Sequence, residues 1–226
     1  MEAKVFIFLF LFISVIESNL IDSRRYLEQV ADKMVFYLKQ DLADKMFIFE
    51  KTKTEIKDSR FGKTISGAVA FQSGFLVSID AATLNERTYK AIINNENCQI
   101  ESEFSLRGVN IAYDVHYDLH SNFKGDAVFL IRYENFHFHL VITQIHNEKA
   151  KGFIQYVGVN SGGQYSLIVK IDPDIPEAQL IARNLRYNPN FRGQTERFFE
   201  NWNLPLQAAL VKAVADIDFP KIDYFH

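Results

Sequence analysis

With a single cysteine, Cys98, this chain of 226 residues cannot close an intramolecular disulfide, so its fold must be held by the burial of apolar surface. Basic clusters are missing too. Beyond residue 18, Arg24-Arg25 is the only adjacent basic pair, and Lys51 and Lys53 are soon followed by acids. The formal net charge is −3, and about −2 once Glu2, Lys4 and Glu17 are set aside, a balance that excludes the basic footprint of a nucleic-acid binder. After residue 16 no apolar run approaches the roughly 20 residues of a membrane-spanning helix, so no stable membrane insertion is expected. Internal repeats, low-complexity tracts and linkers that would divide the chain are absent as well.

Signatures of catalysis are equally scarce. Ser161-Gly162-Gly163 lacks the flanking glycine pattern of a nucleophile elbow, and Gly152 to Gly163 has neither phosphate-loop spacing nor a following helix. Cys98 stands among Asn97, Gln99 and Glu101, none of which supplies the cation that lowers a thiol pKa, so it reads as a core residue at the start of a strand. Asp114, Asp118, Glu101 and Glu103 alternate with apolar residues and read as solvated charges on the wet faces of strands.

What the chain does contain begins with an apolar run from Val5 to Ile16, preceded by Lys4 and followed by Glu17, Ser18 and Asn19. A basic start, an apolar centre and a small-residue exit make a secretory signal, cleaved after Ser18, which leaves residues 19–226 as one exported, extracellular domain. From Leu20 to about Glu50, Leu27, Val30, Met34, Leu38, Leu42, Met46 and Phe49 recur at steps of three or four, the stripe of a long amphipathic helix that Asp22 or Ser23 would cap. A second helix is expected from Thr195 to Ile217 through Trp202, Leu206 and Leu210, with Pro205 either kinking it or marking its first turn.

Between them almost everything reads as strand. In residues 100–120, Ile100, Ser102, Phe104, Leu106 and Gly108 share one parity, and Val109, Ile111, Tyr113, Val115, Tyr117 and Leu119 the other. The change of parity at Gly108 predicts a bulge or kink that keeps the apolar side turned inward. Further strands are expected over 65–79, 128–133 and 136–145, and a hairpin over 153–171 turning at Asn160 to Gly163. Helix, many strands, helix is an α+β order, in which a strongly curved antiparallel sheet wraps around the N-terminal and C-terminal amphipathic helices.

Phe198-Phe199-Glu200-Asn201-Trp202 is similar to the stretch that opens the final helix of takeout-like proteins, and Phe104-Ser105-Leu106-Arg107-Gly108-Val109-Asn110 resembles their central strand. With the order of elements, these residues make the chain resemble the tubular lipid-binding superfamily. The likeness is to its arthropod branch of takeout proteins, juvenile-hormone-binding proteins and group 7 mite allergens. No cysteine precedes Cys98, so the N-terminal cysteine pair of the hormone binders is missing and the disulfide-free, allergen-like members are the nearer match. The resemblance implies a super-roll fold and a non-enzymatic carrier, without cofactor or catalytic residues, that holds a hydrophobic small molecule or lipid in an apolar tunnel or groove between helices and sheet.

The residues expected to line that space are Val30, Met34 and Leu38 of the first helix, Ile111, Tyr113, Val115 and Tyr117 of the long strand, Phe136, Phe138 and Leu140, and Trp202, Leu206 and Leu210. Twenty-one phenylalanines and ten tyrosines offer large contact area without exact polar geometry. Two other readings compete. His137-Phe138-His139 puts two imidazoles on one strand face, a spacing that can ligate zinc if His116, His120 or His146 adds a third ligand; alternation instead sets these side chains on the solvent face. An innate-immunity module meeting microbial lipids would need the basic patches that the chain lacks.

Overall fold

The computed structural model describes residues 2–43, 48–49, 51–60, 63–94, 96–119, 123–133, 136–145, 151–159, 167–187 and 192–221. Helix α1 spans Glu2–Ala43. Its apolar stripe is buried as the spacing predicts, with Leu27, Val30, Met34 and Leu38 fully covered. The apolar run before Leu20 is itself helical, so Asp22 and Ser23 lie inside the helix rather than at its cap. Ser23 is buried and its hydroxyl hydrogen-bonds that of Tyr89. The expected extension to Glu50 also fails. Ile48–Phe49 form strand β1, whose partners are Phe75 and Gly74, and β-pairing of a β-branched and an aromatic residue prevails over the helical period. Met46 lies outside the described residues.

The remaining strands are β2 (Thr52–Arg60), β3 (Lys63–Ser78), β4 (Ala81–Leu84), β5 (Lys90–Ile93), β6 (Asn97–Arg107), β7 (Val109–Leu119), β8 (Phe123–Tyr133), β9 (Phe136–Ile145), β10 (Phe153–Val159) and β11 (Leu167–Asp172). All pair antiparallel and fall into a six-stranded ladder, β1 and β2 beside β3 and then β7, β8 and β11, and a five-stranded one, β10, β9 and β6 with β4 and β5 on its far edge. The registers show that the two ladders are halves of one curved ribbon. Leu106 faces Phe136 and Val109 faces Tyr133, so β6 against β9 and β7 against β8 keep the same register on the two sides of the bend. The next strand behaves alike: Ser78 faces Asn110 and Ala81 faces Arg107, and between these pairs the Asp80 amide donates to the Arg107 carbonyl at 2.9 Å.

Gly108 makes the bend. Its φ of +67° belongs to the left-handed region, where any other residue is strained. Leu106 and Val109 both point inward across it, as do Tyr133 and Phe136 on the neighbouring strand, so two residues rather than one separate consecutive inward positions. The parity of both strands therefore flips together, and the apolar face stays on the concave side. Ser78 and Asn110 pin the corner: the Asn110 amide donates to Ser78 Oγ at 2.6 Å, and Ser78 Oγ donates to the Gly108 carbonyl at 3.1 Å.

The hairpin expected over 153–171 does not form. β10 pairs with β9 and β11 with β8, so the two lie one after the other along the same bent partner strand and cross from one half to the other as their neighbours do. Residues 160–166 lie outside the described residues. Helix α2 (Pro176–Tyr187) falls where the sequence reading places no named element; Pro176 opens it, a position where the missing N–H costs nothing. It buries Ala178 and Ile181 and lies against β11, also touching β8 and β2, so it closes the gap between the two edges of the six-stranded half.

Helix α3 (Arg192–Asp216) starts well before Thr195 and carries Pro205 in its interior, not in its first turn. It packs on β10 and on α1, which in turn packs on β4 and β3. The two helices run antiparallel, as their cross-links require: Lys212 Nζ reaches both oxygens of the Asp41 carboxylate at 3.1 and 3.2 Å, while Lys33 Nζ stands 3.5 Å from Asp216. Asp41 keeps only 9% of its side chain exposed, so the ammonium is what makes its burial affordable.

Replacing Gly108 with Ala is expected to lower stability by about 1–2 kcal/mol through backbone strain alone. Asp80, whose carboxylate would meet the new methyl at 2.0 Å, is exposed and can rotate away. The midpoint of urea unfolding measures the loss, and an unchanged midpoint would contradict the role given to the bend.

Candidate functional site

All thirteen residues expected to line an apolar space are buried, none above 4% exposure, and all belong to one hydrophobic cluster. Val30, Met34 and Leu38 come from α1, Trp202, Leu206 and Leu210 from α3, Ile111, Tyr113, Val115 and Tyr117 from the six-stranded half, and Phe136, Phe138 and Leu140 from the five-stranded half. Trp202 joins the parts. Its ring centroid lies 5.1 Å from that of Phe136, and Phe136 meets Tyr133 edge-on at 5.8 Å across the corner. Phe104 and Phe138 stack at 5.2 Å with only 11° between their planes.

Several members of this cluster were not singled out from the sequence. Phe71 touches Tyr113 edge-on and Phe129 at a tilt, both at 5.9 Å, and Phe104, Tyr26, Ile181 and Phe219 are buried with them. Phe104, Phe71 and Phe129 sit in alternating strands, and that period was the available signal. Ile181 carried a helical one, the period it shares with Ala178 and Ala182 on α2, whereas Phe219 carried none because it lies beyond the end of α3. Cys98 is fully buried on the same inner face, and desolvation pushes its thiol up to about 11, so it stays protonated and unreactive at neutral pH.

The chemistry-bearing side chains are on the other side of the sheet. His137 and His139 alternate with the buried Phe136 and Phe138, as the period requires, and are half-buried on the outer face. His137 Nδ1 lies 2.8 Å from Ser105 Oγ, and His139 Nε2 stands 3.8 Å from Glu101, with its ring 5.9 Å from Tyr156. Lys90 donates to Glu101 at 2.9 Å and, helped by the charges of Lys90 and His139, holds that carboxyl below its ordinary range. His116 is exposed and lies 2.8 Å from Asp126 on the other half of the ribbon. Asp114, Asp126 and Asp172 flank it in an open depression of about 380 Å³ on the outer surface, which Val115 also borders. His120 and His146 lie outside the described residues. Among the described residues no three His, Cys, Asp or Glu side chains gather to hold a metal ion, and no helix is long and apolar enough to cross a membrane.

No protein-family model matches the chain, and no curated protein matches it. Among solved structures it is similar to lipopolysaccharide binding protein, at 11% identity over 82% of this chain with a TM-score of 0.39. That match spans only 37% of the other chain's length. It is also similar to Takeout 1 of Epiphyas postvittana, at 14% identity over 82% of this chain and 92% of that one, with a TM-score of 0.35. The second belongs to the group that residues 198–202 resemble. Likeness at this level carries no argument about function, which is left to this chain's own burial and strand pairing.

Truncating Trp202 to Ala is expected to cost about 3–5 kcal/mol of stability, because the indole fills the inner side of the corner, and to weaken the binding of apolar fluorescent dyes. Replacing His137 and His139 together with Ala should leave dye binding unchanged and shift stability by less than about 1 kcal/mol. Thermal melts and dye titrations of both variants check the contrast; loss of binding in the histidine variant alone would move the site to the outer face.

Proposed function

We propose that the chain is a secreted, non-enzymatic carrier that takes up a hydrophobic small molecule or lipid between its helices and the concave face of its sheet. One observation carries the reading. A single apolar cluster runs through both halves of the ribbon, built largely from aromatic and aliphatic side chains of two terminal helices and the strands they cover, while His137 and His139 lie on the outer face. Aromatic walls bind by area and shape, which suits cargo of broad apolar chemistry. Helices that cross the sheet from its opposite edges can separate from it without breaking a strand ladder, and this gives cargo a way in. Residues 1–18 direct export and are removed, leaving 19–226 as the carrier.

Native mass spectrometry on protein secreted from eukaryotic cells, with organic extraction and metal analysis of the same sample, tests this. A lipid or other apolar molecule that travels with the protein at near stoichiometry, without zinc, is the expected result. Stoichiometric zinc with no organic cargo would overturn it and make His137 and His139 the centre of the chemistry. Binding confined to anionic vesicles and abolished by salt would instead favour a surface-docking protein.

A further inference from the structure

Inside the apolar cluster the hydroxyl of Tyr26 is a polar atom that the packing leaves unused. Tyr26, on α1, is 3% exposed, and its hydroxyl has no hydrogen-bond partner. A buried hydroxyl left unpaired destabilises the fold, and phenylalanine would fill the same space without that penalty. The surroundings say what such a group could serve. The Phe219 ring lies 5.1 Å from the Tyr26 ring, tilted by 57°. Gly152 faces them both: a methyl there would stand 2.8 Å from the Ile142 side chain and the Phe219 ring and 3.3 Å from the hydroxyl oxygen. The wall beside the hydroxyl is therefore backbone on one side and the Phe219 ring on another.

Phe219 is not part of a regular element. It follows α3 in residues 217–220, and the strap is tied to the strand side by an exposed ion pair, Lys151 Nζ to Asp218 at 2.7 Å. Exposed pairs of this kind hold weakly, so the ring is a removable cover. Desolvation alone raises the Tyr26 phenol far above its ordinary range, so it acts only as a neutral donor, and no charged group contributes to that shift. A carboxylate would be buried there without a cation, whereas an uncharged acceptor would satisfy the hydroxyl at no such cost.

We propose that the Tyr26 hydroxyl is the donor subsite for the polar end of the cargo, an uncharged hydrogen-bond acceptor such as an ester or ketone carbonyl, and that the Phe219 ring holds this place until cargo enters. The subsite rests on the carrier reading above and adds a chemical class to it: an apolar body with a neutral acceptor at one end.

The test uses the full mature chain and displacement of a fluorescent naphthylamine dye by methyl decanoate, by tridecane, the alkane of similar length, and by decanoate. The wild-type protein is expected to prefer the ester over both competitors by about five- to tenfold, the worth of one buried hydrogen bond. Tyr26→Phe should erase the preference over the alkane and keep or raise Tm. Phe219→Ala should speed dye association. An ester preference that survives Tyr26→Phe, or equal displacement by all three compounds in the wild type, overturns the subsite while the carrier reading stands. A clear fall in Tm for Tyr26→Phe would show the hydroxyl to be structural and also overturns it, and unchanged dye kinetics in Phe219→Ala removes the cover. Failure of the wild-type protein to bind dye at all overturns the carrier reading itself.

Discussion

The bend in the ribbon is the constraint on which the remaining structure depends. A flat antiparallel sheet with this alternation would show its apolar face to one side, and a single layer of helices could not cover its length. Gly108 and the matching step between Tyr133 and Phe136 turn two paired strands together, without loss of register, so that both halves of the ribbon face a common interior. Trp202 then stands against Phe136 on the inside of the turn. The corner and its indole belong together: the bend creates a concave space, and the largest side chain in the protein fills it.

From that geometry follows a separation of chemistries. Each strand alternates, so His116, His137, His139 and Glu101 are carried to the convex surface, where water and neighbouring polar groups meet them, while Cys98 faces inward and is buried. His137, His139, Glu101 and Lys90 form local hydrogen bonds and ion pairs there, of small energetic weight. Among the charges of the described residues Asp41 is the buried exception. Its carboxylate is carried into the seam between α1 and α3 and held by Lys212, a paired charge that fixes how the two helices are set against each other. Inside, dispersion and burial dominate, and the hydroxyl of Tyr26 finds no hydrogen-bond partner there.

Strand periodicity was legible because each strand is long and half-buried, and a one-residue slip would expose its whole apolar face; the inward set from Ile111 to Tyr117 and from Phe136 to Leu140 followed directly. Gly108 could be read as a bend for the same reason. Helix limits were less legible. The period of α1 continued on paper to Phe49, but pairing with Gly74 and Phe75 claimed that segment, a long-range contact with no local trace. Residues 176–187 do carry an apolar stripe, at Ala178, Ile181 and Ala182, but α2 is short and covers only a seam between two strand edges.

The hairpin expected between β10 and β11 fails for a related reason. Turn composition says that a chain changes direction, not whether it returns beside itself or carries on along a bent neighbour. The alternation and helical stripes of this sequence, set by side-chain period alone, determined which residues face inward, that the strands are antiparallel and that one of them bends. Which strands lie side by side, where α2 closes the edge, and that Phe219 covers Tyr26 were decided only by the tertiary structure, because each joins segments whose meeting depends on the path of the whole ribbon and not on any local pattern.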